Sequence, residues 1–247
     1  SLGFIMFENY WRIWSWKSRI LVLCLVLTAG FILYEWIIYP EVAALARTNP
    51  KSTAWMEMRD HEARARKIKP QRRQTWKPLQ TIAPNLKNAV LIAEDAAFFR
   101  HKGLDYNEIR EAIKINAEKM EFARGASTIT QQLAKNLYLS STKNPARKLK
   151  ELMLTYSLER HLTKRRIFEI YLNVIEWGDG IYGAEAAAQK YYGKSCSSLS
   201  DLEAAAMAAV IINPRRYSPV NQSKRIRRRT AIIKARMTRY HYYKNSD

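Results

Sequence analysis

Cysteine, histidine and acidic residues are scarce in this chain, and each shortage narrows what the protein can be. The two cysteines are Cys24, inside an apolar run, and Cys196, far beyond it, so we expect no intrachain disulfide. The four histidines form no cluster with cysteine, so the sequence predicts no dedicated metal site. Only 22 Asp and Glu oppose 42 Lys and Arg, and the net charge of +20 predicts a polyanionic partner or surface. Nucleic acid, anionic lipid headgroups and pyrophosphate-bearing substrates all satisfy this charge.

Strand patterns, internal repeats and low-complexity tracts are also nearly absent. A hydrophobic fraction of 47% argues against wholesale disorder, and 247 residues suffice for one domain with a sizeable core plus an appendage. From Pro84 onward the apolar spacing is helical almost without interruption. Thr163 is expected to cap one helix, and Ser200 and Glu203 form a capping box before an alanine-rich one. The sequence therefore predicts a single, mostly α domain.

The longest apolar run extends from Ile20 to Ile38 and is interrupted only by Glu35. It is about as long as the roughly 20 residues that span a bilayer. Basic residues precede it, and aromatic residues flank both ends as in membrane-interface belts. These flanking residues are Trp11, Arg12, Trp14, Trp16, Lys17, Arg19, Tyr34, Trp36 and Tyr39. Because no convincing cleavage site follows, we expect a retained transmembrane helix rather than a signal peptide or a core helix.

Composition divides the chain into five segments. Residues 1–19 are predicted to be a cytoplasmic N-terminus, because basic residues before the helix favour that side, and residues 20–39 are the transmembrane anchor. Residues 40–78, rich in proline and basic residues, are predicted to be a basic connector rather than a core element. Residues 79–219 carry the helical domain and residues 220–247 a basic C-terminal tail. The basic C-terminal region is either a solvated terminal helix or a surface that follows anionic headgroups.

The stretch from Glu94 to Gly103 (EDAAFFRHKG) ends an apolar helical run with two adjacent carboxylates, an aromatic pair, a histidine and a turn-forming glycine. Desolvation beside Phe98 can raise the pKa of a carboxylate at this helix end toward the range of a general base, which makes Glu94 and Asp95 candidates for a catalytic site. Adjacent side chains on a helix point about 100° apart, so the two carboxylates are not expected to share one task. His101 is either a site residue or a structural hydrogen-bonding residue.

Two further motifs follow, RGASTITQQLAKN at Arg124–Asn136 and RKLKE at Arg147–Glu151. Four polar residues of the first motif share one helical face, namely Thr128, Gln132, Lys135 and Asn136. Amides suit sugar hydroxyl and acetamido groups and the ammonium suits phosphate, so this face fits a sugar diphosphate, although it could also be an exposed polar face. In the second motif Arg147 and Glu151 form an i,i+4 pair, for which a functional role is favoured over a routine salt bridge on the helix surface.

The ordered set EDxxFxxHxG, GxSTITQQxxKN and RKxxE closely resembles the peptidoglycan glycosyltransferases of glycosyltransferase family 51, in their monofunctional, membrane-anchored form. The resemblance extends from about Leu79 to Pro219. It includes two more motifs that we interpret as mainly structural, Ile167–Asn173 and Gly183–Lys194. It implies a lysozyme-like, mostly helical glycosyltransferase domain behind a single N-terminal transmembrane helix.

The resemblance also implies roles for individual residues. Glu94 is the expected catalytic base, Glu151 the second catalytic acid, and Arg147 and Lys150 the contacts to pyrophosphate. The other residues expected to bind substrate are Asp95, Phe98, His101, Ser127, Thr128, Gln131, Gln132, Lys135 and Asn136. No metal ligands and no required cofactor are expected, although a divalent cation could assist at the pyrophosphate.

The implied reaction is the polymerisation of lipid II into β-1,4 glycan strands, with inversion and release of undecaprenyl pyrophosphate. The implied location is the bacterial inner membrane, crossed once, with the catalytic domain on the periplasmic side and a role in cell-wall biogenesis and cell shape. Expected partners are lipid II, the growing strand and the membrane. Other cell-wall synthesis proteins are candidate partners, and nucleic acid is not expected. The chain length leaves no room for a transpeptidase domain, so uncross-linked products are expected.

Two alternatives remain on the sequence alone. A lysozyme-like lytic enzyme would cut the same polymer with a single glutamic acid, and it would need neither the basic residues nor the TITQQLAKN row. A membrane-tethered nucleic-acid-binding protein is compatible with the net charge of +20. A nucleic-acid-binding role does not explain the adjacent acids Glu94 and Asp95 of the first motif.

Overall fold

The computed structural model describes residues 15–37, 42–119, 127–139 and 145–243. The chain divides into one unit that ends at Glu41 and a second that begins at Val42. The first unit contains helix α1 (Trp16–Ile37), which is long and apolar enough to cross a membrane and buries none of its apolar window. The predicted apolar helix is confirmed. Five residues of the predicted span and its flanks lie outside the described residues, namely Trp11, Arg12, Trp14, Ile38 and Tyr39.

The second unit is mostly helical, as predicted. Its described α-helices are α2 (Ala54–Ala65), α3 (Pro84–Glu94), α4 (Tyr106–Lys119), α5 (Ile129–Tyr138), α6 (Pro145–His161), α7 (Lys164–Val174), α8 (Ala184–Tyr192), α9 (Asp201–Val210) and α10 (Lys224–Met237). Short 3₁₀ turns lie at Val42–Ala46, Leu79–Thr81 and Cys196–Ser198. Thr163 accepts a hydrogen bond from the Arg166 N–H, and Ser200 and Glu203 form a reciprocal capping box, so both predicted helix starts are confirmed.

A small sheet is formed by β1 (Arg73–Gln74), β2 (Glu176–Gly178) and β3 (Ile181–Tyr182). The spatial order is β1-β3-β2, with β1 parallel to β3 and β2 antiparallel to β3. Such short strands carry too few residues for an alternating pattern, which explains why almost no strand pattern is visible in the sequence.

The helices pack in two groups that meet at the end of α3. Helix α9 packs against both α10 and α3, while α5 packs against α6, α7 and α2. Leu86, Val90 and Leu91 of α3 have no exposed surface, so this helix is fixed in the core. Its last residue, Glu94, therefore lies at a rigid position that both groups can reach.

The segment predicted as a basic connector is a structural part of the second unit. Val42 and Met56 are buried, and Thr53 caps α2 by accepting the Met56 N–H. Two basic residues of this segment form ion pairs with the rest of the domain: Arg59 contacts Glu176 on β2 at 3.1 Å, and Lys77 contacts Glu185 at 3.8 Å. Charge-rich composition suggested a linker here, but paired charges over an apolar face form a helix that packs on the domain.

The boundary predicted at residue 219 also differs from the structure. Helix α10, within the predicted basic C-terminal tail, buries Ile226, Thr230, Ile233 and Met237 against the rest of the unit. Its many arginines concealed an apolar stripe with helical spacing. The C-terminal helix is therefore part of the folded domain.

The neighbouring isoleucines of α10 provide a matched test of this packing. Ile233 is 3% exposed and Ile232 is 46% exposed. We expect Ile233→Ala to lower the free energy of unfolding by about 2–4 kcal/mol through the cavity it leaves, and Ile232→Ala by less than about 1 kcal/mol. Denaturant unfolding of the two variants checks this, and equal small losses would show that α10 is not part of the core.

Candidate active site

Glu94 is the last residue of α3, a helix that begins at Pro84. Proline suits the first helical turn, and the buried apolar residues that follow hold the helix in the core. The carboxylate lies at the C-terminal end of the helix, where the helix dipole disfavours negative charge. An ionised Glu94 therefore needs compensating contacts from elsewhere in the fold.

Two side chains supply these contacts, one to each carboxylate oxygen of Glu94. Gln132 Nε2 on α5 donates to Oε2 at 3.0 Å, and Arg229 Nη2 on α10 donates to Oε1 at 3.1 Å. The Glu94 side chain is only 12% exposed. Burial raises the pKa of Glu94 above its ordinary value, whereas the hydrogen bond from Gln132 and the charge of Arg229 lower it and Asp95 adds a smaller upward effect. The balance is a carboxylate more basic than an ordinary glutamate.

The amide of Gln132 is oriented by a second hydrogen bond. The Tyr171 hydroxyl on α7 donates to Gln132 Oε1 at 2.9 Å, so the amide nitrogen must face Glu94. Burial raises the pKa of Tyr171 well above its ordinary value, and the charge of Glu94 adds to this effect. The phenol therefore stays protonated and remains a donor, which fixes the order Tyr171, Gln132, Glu94.

Asp95 has a different set of partners from Glu94. His101 Nε2 lies 3.0 Å from its Oδ1, and the Ile129 N–H donates to its Oδ2 at 3.0 Å. These bonds join the end of α3 to the motif loop and to the start of α5. Asp95 and His101 were predicted to bind substrate, and both line the cleft, but their bonded atoms serve the architecture of the site.

Three other residues predicted to bind substrate have structural contacts, although Thr128 also lines the cleft. Phe98 has no exposed surface and packs on Phe168 with ring centroids 5.6 Å apart. Thr128 and Gln131 are buried and form the capping box of α5. The sequence suggested donors for sugar in this row, but these side chains satisfy the backbone N–H groups that a helix N-terminus leaves free.

The second catalytic candidate, Glu151, lies buried on α6 with basic neighbours. Lys148 Nζ contacts its Oε1, and Arg147 Nη1 lies 3.8 Å from its Oε2. Lys135 of α5 interacts electrostatically with both Glu151 and Glu94, and burial lowers the pKa of Lys135. This lysine therefore connects the two predicted acids through its charge.

A cleft of about 830 Å³ opens beside Glu94. Its lining includes Glu94, Asp95, Arg100, His101, Asp105, Ser127, Thr128, Gln132, Ile212, Arg229 and Arg236. Ser127 is exposed, whereas Asn136 donates from its amide to the Gln132 carbonyl at 2.8 Å. Among the residues that the structure describes, Lys135, Arg147, Lys150 and Glu151 do not line this cleft. The predicted site therefore has two parts, the cleft beside Glu94 and the basic group around Glu151. Lys135 interacts with both acids.

One group of described residues offers the donors of a metal site. Asp95, His101 and Asp105 present ligand atoms within 4.8 Å of one another. However, the Asp95 oxygens accept the bonds given above, and Asp105 Oδ1 accepts the N–H groups of Asn107 and Glu108 at 3.0 and 3.1 Å. These oxygens already serve protein hydrogen bonds, with which an ion would compete. That no metal or cofactor is required stays a prediction.

The fold and the cleft define a mostly helical enzyme that carries a basic, buried carboxylate beside a cluster of cations. Comparison with known proteins gives the family. Residues 61–238 match the family described as Transglycosylase, so the chain belongs to it. The resemblance to family 51 inferred from the motifs is confirmed, and so is the prediction of a peptidoglycan glycosyltransferase.

Individual relatives match over nearly their whole length. The biosynthetic peptidoglycan transglycosylase of Nitrosospira multiformis is 41% identical over 228 residues, which cover 92% of this chain and 97% of that protein. The protein of the same name from Methylobacillus flagellatus is 43% identical over 222 residues, covering 90% and 95%. The one from Dechloromonas aromatica is 43% identical over 236 residues, covering 96% and 92%.

The sequence analysis missed two residues of the site: Arg229, which contacts Glu94, and Tyr171, which contacts Gln132. Arg229 was counted among the cations of the basic C-terminal region, and Tyr171 was assigned to a structural motif. The apolar stripe of α10 could have indicated that this helix is buried, but nothing in the sequence indicates that Arg229 reaches Glu94. A contact across 135 residues of chain leaves no local pattern.

Gly103 of the first motif has a positive φ of 85°, and a Cβ there would lie 2.8 Å from Thr155 Cγ2. Gly193 has a similar φ of 67° but nothing within 4 Å of an added Cβ. We expect Gly193→Ala to cost about 1–2 kcal/mol from backbone strain alone. Gly103→Ala should cost about 1–3 kcal/mol more, because buried Thr155 cannot move aside. Thermal or denaturant unfolding tests this pair, and equal losses would contradict the close approach of the motif loop to α6.

Proposed function

We propose that this enzyme polymerises lipid II into β-1,4 glycan strands with Glu94 as general base. The acceptor is the 4-hydroxyl of the incoming GlcNAc, and the donor is the MurNAc C1 of the growing chain. In-line attack inverts the α-linked donor and releases undecaprenyl pyrophosphate. The observation that carries this proposal is the buried Glu94 carboxylate, which opens on the cleft and accepts one donor at each oxygen.

The contacts of Glu94 favour a base over an acid. Because Gln132 and Arg229 both donate, the carboxylate that they stabilise is the ionised form. Burial at the same time makes this carboxylate more basic than one in water. A lysozyme-like lytic enzyme needs a protonated glutamic acid at the corresponding step. The arrangement therefore supports transfer to an acceptor hydroxyl rather than cleavage.

The leaving group needs positive charge, which the other part of the site supplies. Lys135 interacts electrostatically with Arg147 and Glu151, and Lys150 precedes Glu151 in the chain. We assign Lys135, Arg147 and Lys150 together to the pyrophosphate. The Arg147 side chain is 26% exposed, and its guanidinium offers donors that suit phosphate oxygens. Such donors stabilise charge that develops as the bond to the pyrophosphate breaks.

The membrane role follows from α1 and from the basic surface of the domain. We propose that α1 anchors the enzyme in the bacterial inner membrane, with the second unit on the periplasmic side where its lipid-linked substrate is used. Exposed cations of α10 would follow anionic headgroups, at about 1 kcal/mol per basic residue near the surface. A nucleic-acid-binding role explains neither the buried Glu94 nor its partners.

Glu94→Gln tests the base directly, because it keeps the shape of the side chain but cannot accept the proton of the acceptor. Turnover should fall on the order of 10²–10⁴-fold, while detergent-solubilised fluorescent lipid II still binds and the thermal melt is unchanged. Glu57→Gln, which changes an exposed carboxylate on α2, is the control and should retain activity. A folded Glu94→Gln enzyme with full activity would exclude this mechanism.

Lys135→Ala tests the pyrophosphate contact. A charge-assisted hydrogen bond contributes about 1.5–3 kcal/mol, so kcat/KM for lipid II should fall roughly 10- to 100-fold, with binding and rate both weakened. Lys135→Arg should recover part of the loss, and Lys190→Ala, which removes an exposed lysine on α8, should have no effect. Unchanged kcat/KM in Lys135→Ala would remove this lysine from the site.

A further inference from the structure

Arg229 lies on α10, outside every motif that identified the site. The helix is held in place by its apolar stripe, in which Ile226, Thr230 and Ile233 are buried. Packing against α9 and α3 sets the height and rotation of α10 relative to the end of α3. The position of the Arg229 backbone is thus determined by the core and not by the cleft.

The Arg229 guanidinium bridges two acceptors at the end of α3. Its Nη2 lies 3.1 Å from the Ala93 carbonyl and 3.1 Å from Glu94 Oε1. Carbonyls in the last turn of a helix have no partner within that helix, and cations are favourable at this end. One donor nitrogen therefore stabilises both the helix end and the carboxylate, which ties the direction of Glu94 to the backbone of its own helix.

Other charged or titratable groups also face Glu94, and none of them duplicates Arg229. Asp95 follows it in the chain, Tyr171 approaches from α7, and Lys135 from α5. The cleft further includes Arg100, His101, Asp105, Glu108 and Arg236. Among the described residues, Arg229 is the cation at ion-pair distance from Glu94. Lys135 interacts with both Glu94 and Glu151, so its charge is shared.

We propose that Arg229 is a positioning residue for Glu94, holding the carboxylate ionised and aimed at the cleft, so that catalysis requires the C-terminal helix to be docked. This inference rests on the proposed function of Glu94 as the base. Gln132 fixes Oε2 and Arg229 fixes Oε1, which stops rotation of the carboxylate. Each oxygen keeps a second lone pair with which it can accept the proton of the acceptor hydroxyl.

The consequence for pH dependence has a definite sign. A general base works only when ionised, so the rate falls as pH drops through the pKa of Glu94. Arg229 lowers this pKa, opposing burial. Removing the guanidinium raises the pKa, and the acidic limb of the rate profile must then move to higher pH. A residue that only stabilised the fold would change the amount of active enzyme without moving this limb.

The experiment measures lipid II polymerisation by the full chain against pH for Arg229→Gln, Arg229→Lys and Arg228→Gln. Arg228, the matched control, is exposed on the same helix. Arg229→Gln should lose roughly 10- to 100-fold in rate at neutral pH, as expected for a misplaced catalytic group. The acidic limb of its rate profile should move to higher pH. Arg229→Lys keeps the charge, so it should be intermediate in both respects. The assay uses detergent micelles without anionic lipid, so the headgroup contacts proposed for the exposed cations of α10 do not contribute, and Arg228→Gln should match the unmodified enzyme.

A folded Arg229→Gln enzyme whose acidic limb does not move overturns the inference, even if its rate is low. If Arg229→Gln fails to fold, Arg229→Lys decides the question: a rate below that of the unmodified enzyme with an unchanged thermal melt supports positioning, and the unmodified rate contradicts it. Glu94→Gln separates the two proposals. If that variant is fully active, the proposed base is wrong. If it is inactive while the Arg229→Gln limb stays in place, only the role of Arg229 fails.

Discussion

A buried carboxylate at the C-terminal end of an apolar helix is the constraint on which the rest of this site depends. Glu94 loses water and meets the unfavourable end of a helix dipole, and both effects oppose its charge. Gln132 and Arg229 offset them with one hydrogen bond each. Since these partners lie on α5 and α10, the basicity of Glu94 is a property of how three helices pack.

The motifs contain two kinds of residue that the sequence alone does not separate. Glu94 and Gln132 reach the cleft, whereas Gln131 and Phe98 are buried, and Asp95, which also lines the cleft, bonds within the protein. The second kind holds the first in place: Asp95 joins the end of α3 to the start of α5, which carries Gln132. This explains why polar motif residues that resemble substrate ligands are buried as caps and links.

Much of the fold could be predicted because its signals are local. Helical periodicity, the Thr163 cap, the Ser200 capping box and the apolar run of α1 are each contained in a few residues. Contacts between residues that are far apart in the sequence could not be predicted in this way. Arginine-rich composition suggested a connector before the domain and a tail after it, yet both segments fold onto it. The Arg229–Glu94 pair depends on the packing of α10 and has no local signature.

The protonation of Glu94 itself is the most direct measurement of this account. Carbon-13 label in the glutamate carboxyl groups would be followed by NMR across pH, with Glu94→Gln used to assign the signal. The account predicts that Glu94 titrates above the ordinary glutamate value of about 4.3, and that the same transition limits polymerisation on the acidic side. Titration at or below the ordinary value, or a rate profile that ignores this transition, would contradict the claim that packing makes Glu94 the base.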